Sequence, residues 1–330
     1  MASEEFKQLL VRLEAAQAAA PPLGDPPDFG AMRTAMEGRA FPVSPGTDVH
    51  PVEVDGVRGE WVCWPGADTS RRLLLLHGGG YVMGSPATHR ELAGRLSRAS
   101  GCAVLVLDYR LAPEAPFPAA VDDAVHALAW MRDHGPEGTS VASSMAIAGD
   151  SAGGGLALAT LINVRDRGLP LPRAGLLMSP WADMLASGES YVRFGAGNIH
   201  TMADAYLAGA DPRHPLASPV YATLAGLPPL MIQVGEAEAF LDDSTVLASR
   251  AREAGVDVVT RLVLRTTLVE RTLPPVSTGL EGRHGEVESG EHDVNGLQRP
   301  HRVMLGAGVV RDLAFRHEVV NDAELTIAAR

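Results

Sequence analysis

Residues 149–153 read Gly149-Asp150-Ser151-Ala152-Gly153, a serine with a glycine two places away on either side. They sit inside "AIAGDSAGGGLALA" (146–159), where a short apolar run passes into a helix-like one. In that context G-x-S-x-G makes a sharp strand–turn–helix. The flanking glycines permit the turn, which lifts Ser151 Oγ clear of a sheet and aims the following N–H groups at the same spot. The chemistry such a serine does is nucleophilic acyl transfer. The pentapeptide also arises by chance in a chain with 35 glycines, so it needs a partner feature to carry weight.

"HGGG" at 77–80 is that feature. It follows four leucines, Leu73–Leu76. Three glycines in a row cost backbone entropy and mean that something approaches the main chain closely. An acyl-transfer nucleophile needs donors for the negative oxygen of its tetrahedral intermediate. The N–H after the serine, on Ala152, and N–H groups from a loop after an earlier strand can supply them. A phosphate reading fails on detail. Lys7 is the only lysine, so no Walker loop can form, and Met83 and Leu158 occupy the third glycine position of G-x-G-x-x-G in the two glycine clusters.

The elements that must hold these residues are strands alternating with helices. "GEWVCWP" (59–65), 71–80, 102–110, 144–151, 174–181 and 228–236 read as strands, several as near-continuous apolar runs. Helical stretches are predicted at His89–Ser100, Ala119–His134, Gly154–Arg167 and Ser244–Ala254. That alternation implies an α/β fold with a mostly parallel, doubly wound sheet. Residues 1–45 read as a helical preamble with candidate helices at Glu4–Ala20 and Gly30–Gly38. Residues 182–225, with a helix near Thr201–Leu207, read as an insertion over the carboxyl ends of the strands, where ligands bind in such sheets.

The 330 residues are 46% hydrophobic, enough for a sizeable core, and no apolar run reaches membrane length. A net charge of −12 argues against nucleic acid or an anionic membrane as partner. The acidic start "MASEEFKQLL" lacks an apolar signal core, and two cysteines, Cys63 and Cys102, do not make a disulfide framework. The expectation is a cytoplasmic protein with both cysteines buried.

"HGGGYVMGS", "DYRLAPEAPFPAAVDDA" and "GDSAGGG", with "SPW" after the next strand, resemble the bacterial hormone-sensitive-lipase-like esterases of the α/β-hydrolase fold. The resemblance spans about 50–258. It implies an α/β-hydrolase core over 46–260, and a helical cap formed by 1–45 and 182–225. It implies a carboxylesterase that cleaves small acyl esters or lactones through an acyl-serine on Ser151. Gly79, Gly80 and Ala152 would bind the oxyanion, and His77, Asp108, Tyr109 and Arg110 would brace that loop. No metal or organic cofactor is implied, the partner is a small-molecule ester, and a homodimer is left open. Deacetylation of an acetylated metabolite, or an impaired member that only binds small molecules, are the rival readings.

In this fold the acid and base follow the serine in the order Ser, Asp or Glu, His. "GEAEAFLDDS" keeps the family's Asp-Pro-Leu-x-Asp spacing with Glu238 in the acid's place; Glu236 is its rival, and Asp242 and Asp243 read as caps of the next helix. The base is missing from its family position. "VTRLVL" (259–264) matches the final strand, but "RTTLVERTLPP" follows it without a histidine. Downstream stand His284, His292, His301 and His317, of which His284 and His292 fit least badly. Residues 241–330 contain one aromatic, Phe315. Residues 261–330 therefore read as a divergent or disordered tail, with either a distant histidine reaching back or a reading frame lost near residue 259. The loss of pattern favours the second. Translating the gene's other two frames past that point should reveal a family-like segment with histidine followed by Phe or Trp; its absence from both removes the frameshift explanation.

Overall fold

In the computed structural model, which describes Gly24 and residues 27–38, 40–195 and 197–263, the alternation becomes one eight-stranded sheet. Its strands are β1 (Asp48–Val54), β2 (Val57–Cys63), β3 (Asp68–Leu76), β4 (Cys102–Leu107), β7 (Ser144–Asp150), β8 (Gly175–Met178), β9 (Leu230–Gly235) and β10 (Val258–Val263). The order is β1-β2-β4-β3-β7-β8-β9-β10. From β4 to β10 every pair is parallel, and β1 and β2 add an antiparallel edge. β5 (His134–Gly135) and β6 (Gly138–Thr139) form a separate small ribbon. The expected α/β class, mostly parallel and doubly wound, is what the chain adopts.

The four leucines explain why both sheet faces must be covered, for all four are buried. Leu73 and Leu75 join Val104 and Val106 on one face, under Leu92, Ala93 and Leu96 of α2 (Pro86–Ser100). Leu74 and Leu76 join Leu105, Leu107 and Ile147 on the other face. There α3 (Ala119–Met131), α4 (Ala152–Asp166) and α7 (Leu241–Glu253) pack. Each fully buried leucine contributes roughly 2 kcal/mol of transfer free energy.

Helix ends depart from the sequence expectation where local chemistry decides them. α2 begins three residues before His89, because Ser85 and Thr88 cap it reciprocally and Pro86 fits its first turn. It stops at Gly101, whose φ of 67° an L side chain rarely adopts. The predicted Gly30–Gly38 is α1 (Phe29–Glu37), and the helix near Thr201 is α6 (Ile199–Leu207), preceded by the short α5 (Glu189–Phe194). The candidate helix Glu4–Ala20 lies outside the described residues.

β10 pairs with β9 over six residues, Val258 with Leu230 through Val263 with Gly235. The sheet therefore runs three residues past the boundary at 260 set from the sequence, and the final strand is present. Residues 264–330, with His284, His292, His301 and His317, lie outside the described residues. Cys63 is buried and Cys102 half-buried, a correction to the expectation that both are buried; neither is in a disulfide.

β3, β7 and α4 meet so closely that only glycine fits at several positions. A Cβ on Gly149 would overlap the Gly153 carbonyl, and one on Gly153 would overlap the carbonyl oxygens of Leu76 and His77. Backbone cannot yield as a side chain would. Gly153→Ala should destabilise the fold by about 3 kcal/mol, as overpacking does; the measurement is the urea midpoint against wild type, and an unchanged midpoint means the contact relaxes.

Candidate active site

The loops that leave the carboxyl ends of β3, β7, β8 and β9 share one edge of the sheet. The β3 loop carries the glycines, the β7 loop Ser151, the β8 loop Ser179–Trp181 and the β9 loop Glu238.

Ser151 has φ 53° and ψ −121°, a strained backbone for a residue with a side chain. It occupies the position before α4 where a serine hydroxyl ordinarily caps the helix, yet its side chain makes no capping bond. The backbone holds it there. Ser151 N–H donates to Met178 O at 2.9 Å, and Ser151 O accepts from Gly154, Gly155 and Trp181 N–H at 3.0, 3.1 and 2.9 Å. The strand ends, the chain turns, and the hydroxyl is left for chemistry.

The glycine loop turns through positive φ at Gly79 (131°), Gly80 (64°), Tyr81 (64°) and Gly84 (95°). Gly79 O accepts from Val82 and Met83 N–H, which closes the turn. A Cβ on Gly79 would overlap Met83 O, and one on Gly84 would overlap Gly78 O and the His77 ring. The amide of Ala152 opens α4, where helix geometry provides no partner. Among the described residues, neither that amide nor those of Gly79 and Gly80 donates a hydrogen bond within the protein. The two motifs touch, for Gly78 N–H donates to Asp150 Oδ1 at 3.0 Å.

His77 is fully buried and donates Nδ1–H to Gly78 O at 2.9 Å. Its ring stacks on Tyr109 with centroids 4.2 Å apart, and Tyr109 OH donates to His77 O. Burial first, then neighbouring His89, depress its pKa to about 3, so the ring stays neutral and is no base near neutrality. Of the four residues expected to brace this loop, His77 and Tyr109 touch it, and Asp108 and Arg110 pair elsewhere. Asp108 pairs with Arg58, and Arg110 binds Asp123. The sequence did not single out Arg33 of α1, whose guanidinium grips the turn: it donates to Val82 O at 2.7 Å and Ala112 O at 2.8 Å and pairs with Glu114.

Glu238 is buried and accepts from Gly235 N–H at 3.1 Å; its rival Glu236 is half-buried, with its N–H on Val263 O. Segment 182–225 leans on the glycine loop. The Met202 thioether sits where a Cβ on Gly80 would go, and Tyr206 stacks on Tyr81 at 3.8 Å. Aromatic contacts continue from Tyr81 to Trp181 at 5.9 Å and from Trp181 to Phe240 at 6.3 Å, reaching the loop of Glu238. Among the described residues no three His, Cys, Asp or Glu side chains cluster as a metal site requires, and no helix is long and apolar enough to cross a membrane.

The reading of Asp242 and Asp243 as helix caps is overturned. Phe240 occupies the cap position of α7, and both carboxylates turn away from their own helix. Asp242 accepts from Ser190 N–H; Asp243 Oδ2 accepts from Ala182 N–H, Asp183 N–H and Tyr191 OH. They tie the root of segment 182–225 to α7, a long-range role with no local sequence signal. Burial pushes the Asp243 carboxyl up to about 7, helped by Asp183 and opposed by the three donors. A carboxyl raised in the fold contributes stability that is complete below its ordinary 3.8 and is lost as pH rises through about 7. Asp243→Asn keeps an oxygen for the three donors without the charge. Denaturant midpoints at about pH 5 and pH 8 should therefore differ less in this variant than in wild type; an equal difference means that Asp243 does not titrate there.

The profile of a family described as alpha/beta hydrolase fold matches residues 73–266. An acetyl-hydrolase of Streptomyces hygroscopicus is 48% identical over 215 residues, covering 63% of this chain and 70% of the relative. The solved structure of EstE5 with PMSF is 44% identical with a TM-score of 0.74, over 82% of this chain and 91% of that one. An esterase of the bacterial hormone-sensitive lipase family is 41% identical with a TM-score of 0.74, over 82% and 92%.

Proposed function

We propose the following chemistry for a chain that belongs to the α/β-hydrolase family and is a carboxylic-ester hydrolase. Ser151 Oγ attacks the ester carbonyl. The carbonyl electrons move onto oxygen, which the N–H groups of Gly79, Gly80 and Ala152 receive, and the positive end of α4 favours the same charge. Collapse expels the alcohol and leaves an acyl-serine, which water hydrolyses. Glu238 orients and stabilises the histidine that moves these protons. None of the seven histidines in the described residues follows Glu238 in the chain; His284 and His292 are the candidates beyond them.

One observation carries this reading: a strained serine, its hydroxyl not used as a cap, stands beside a glycine loop in which the Gly79 and Gly80 amides, among the described residues, donate to no protein acceptor. The EstE5 neighbour with PMSF supports it, since sulfonyl fluorides react with activated serines. Small acyl esters, lactones included, are the substrate class. The Met202 thioether against Gly80 leaves little room over the loop, which supports this class. Contacts of Arg33 on one side and of Met202 and Tyr206 on the other with the glycine loop support the reading of the preamble and of 182–225 as a cap. The acetyl-hydrolase relative favours a second reading, removal of an acetyl group from a metabolite. Two free thiols fit a reducing, cytoplasmic setting.

On p-nitrophenyl esters of increasing chain length, turnover should peak at the shortest acyl groups. Ser151→Ala should lower kcat by about 10³-fold or more and abolish labelling by a fluorophosphonate. Glu238→Gln should lower kcat, with labelling slowed. Alanine at 284, 292, 301 and 317 in turn should cost activity at one position only. Turnover surviving Ser151→Ala refutes the nucleophile; wild type inert to both ester and fluorophosphonate supports an impaired, small-molecule-binding member instead.

A further inference from the structure

Behind the glycine loop lies a buried pair that this mechanism does not use. His89, at the end of the first turn of α2, and Asp150, the residue before Ser151, have side chains 2% and 5% exposed. His89 Nε2 lies 3.2 Å from Asp150 Oδ1 and 3.3 Å from Oδ2. Gly78 N–H donates to the same Oδ1, and a Cβ on Gly78 would overlap Oδ2. The carboxylate is thus wedged against the backbone one residue before Gly79.

Contacts on both sides of the ring fix the geometry of the pair. A carboxylate oxygen only accepts, so His89 Nε2 bears a hydrogen. Gly78 N also lies 3.2 Å from Nε2, but a protonated nitrogen cannot accept, and the amide's bond goes to Asp150. On the other side of the ring Nδ1 lies 2.8 Å from Thr88 Oγ1. That hydroxyl also accepts from Ser85 N–H and lies 2.8 Å from Ser85 O, so both ring nitrogens are held and the imidazole plane is set against the carboxylate. Burial alone would raise the Asp150 carboxyl; the His89 charge and hydrogen bond, with His77 and the Gly78 amide, outweigh it and hold it below the ordinary range. A buried histidine–carboxylate pair is weak evidence for stability, yet it fixes a geometry.

We propose that Asp150 and His89 are positioning residues for the oxyanion loop: His89 fixes the Asp150 carboxylate, which holds Gly78 N–H and so aims the amides of Gly79 and Gly80 at the carbonyl that Ser151 attacks. The inference rests on the reading of Ser151 and the glycine loop given above. Asp150 joins the two halves of the site, by a covalent bond to Ser151 and by a hydrogen bond to the loop. An amide aimed wrongly weakens the bond to the developing oxyanion and leaves ground-state binding alone. Loss of the pair should therefore appear in kcat and spare KM.

The test uses Asp150→Ala, Asp150→Asn and His89→Gln in the full chain. Three readouts are taken: kcat and KM on p-nitrophenyl acetate, Ki for a trifluoromethyl ketone, which adds to serine as a tetrahedral oxyanion, and hydrogen–deuterium exchange of the peptide covering 77–85. Asp150→Ala should lower kcat about 100-fold with KM within about two-fold, and raise the ketone Ki by a similar factor. Exchange over the loop should quicken about ten-fold while that of β7–β9 stays as in wild type. Asp150→Asn keeps an acceptor for Gly78, and His89→Gln gives Asp150 a neutral donor; both should fall between and carry the test if the alanine variant does not fold. Unchanged exchange over 77–85, or a rise in KM with kcat intact, overturns the proposal. A wild type that neither turns over ester nor binds the ketone defeats the functional reading, and the exchange result then decides the positioning claim by itself.

Discussion

The Ser151 carbonyl is the point on which this site depends. It accepts three amides, two from its own helix and one from Trp181 on the neighbouring loop. Those bonds make a left-handed backbone at a residue with a side chain tenable, where strain of this kind costs on the order of 1–3 kcal/mol. Each neighbour must come very close for this to work. Gly149, Gly153, Gly154 and Gly155 are glycines because the facing atoms are carbonyls and backbone of Gly153, Leu76, Pro180 and Trp181. Packing, strain and chemistry here are one arrangement: the same crowding that forbids side chains also forces the serine hydroxyl outward.

Much of this was legible in the sequence because it is periodic or local. Apolar runs of strand length bounded by turn residues gave six of the eight sheet strands, and G-x-S-x-G and HGGG state their backbone demands in consecutive residues. β1 escaped, since "DVHPVEV" carries a proline and alternates on a half-exposed edge, where Pro51 is tolerated. Asp150, Arg33 and Asp243 escaped for another reason. Each acts on a partner 49 to 72 residues away through one side chain, and a single distant contact leaves no period to read. Asp150 stands inside the motif as its variable letter, and His89 precedes the serine in the chain, where the order Ser, acid, His places no base.

The acid's loop shows the same division. The spacing of Glu238 and Asp242 is visible in the sequence, and Glu238 is buried where Glu236 is half-buried. What spacing could not show is that Asp242 and Asp243 serve the segment 182–191 and not their own helix. A first-turn carboxylate looks the same on paper whether it bonds its own amides or another segment's.

β10 has a consequence for how such a site can change over generations. It runs parallel to β9, and Val263 O is bonded to Glu236 N–H, so whatever sequence is joined to Val263 sets out beside the acid's loop. The sheet up to that point takes its register from β9. A change beyond Val263 therefore leaves the pairing of β9 with β10 as it is. Ser151 and the glycine loop, by contrast, are held by close backbone contacts with their neighbours. The tightly packed turn at Ser151 and the open end of β10 thus constrain the chain to very different degrees.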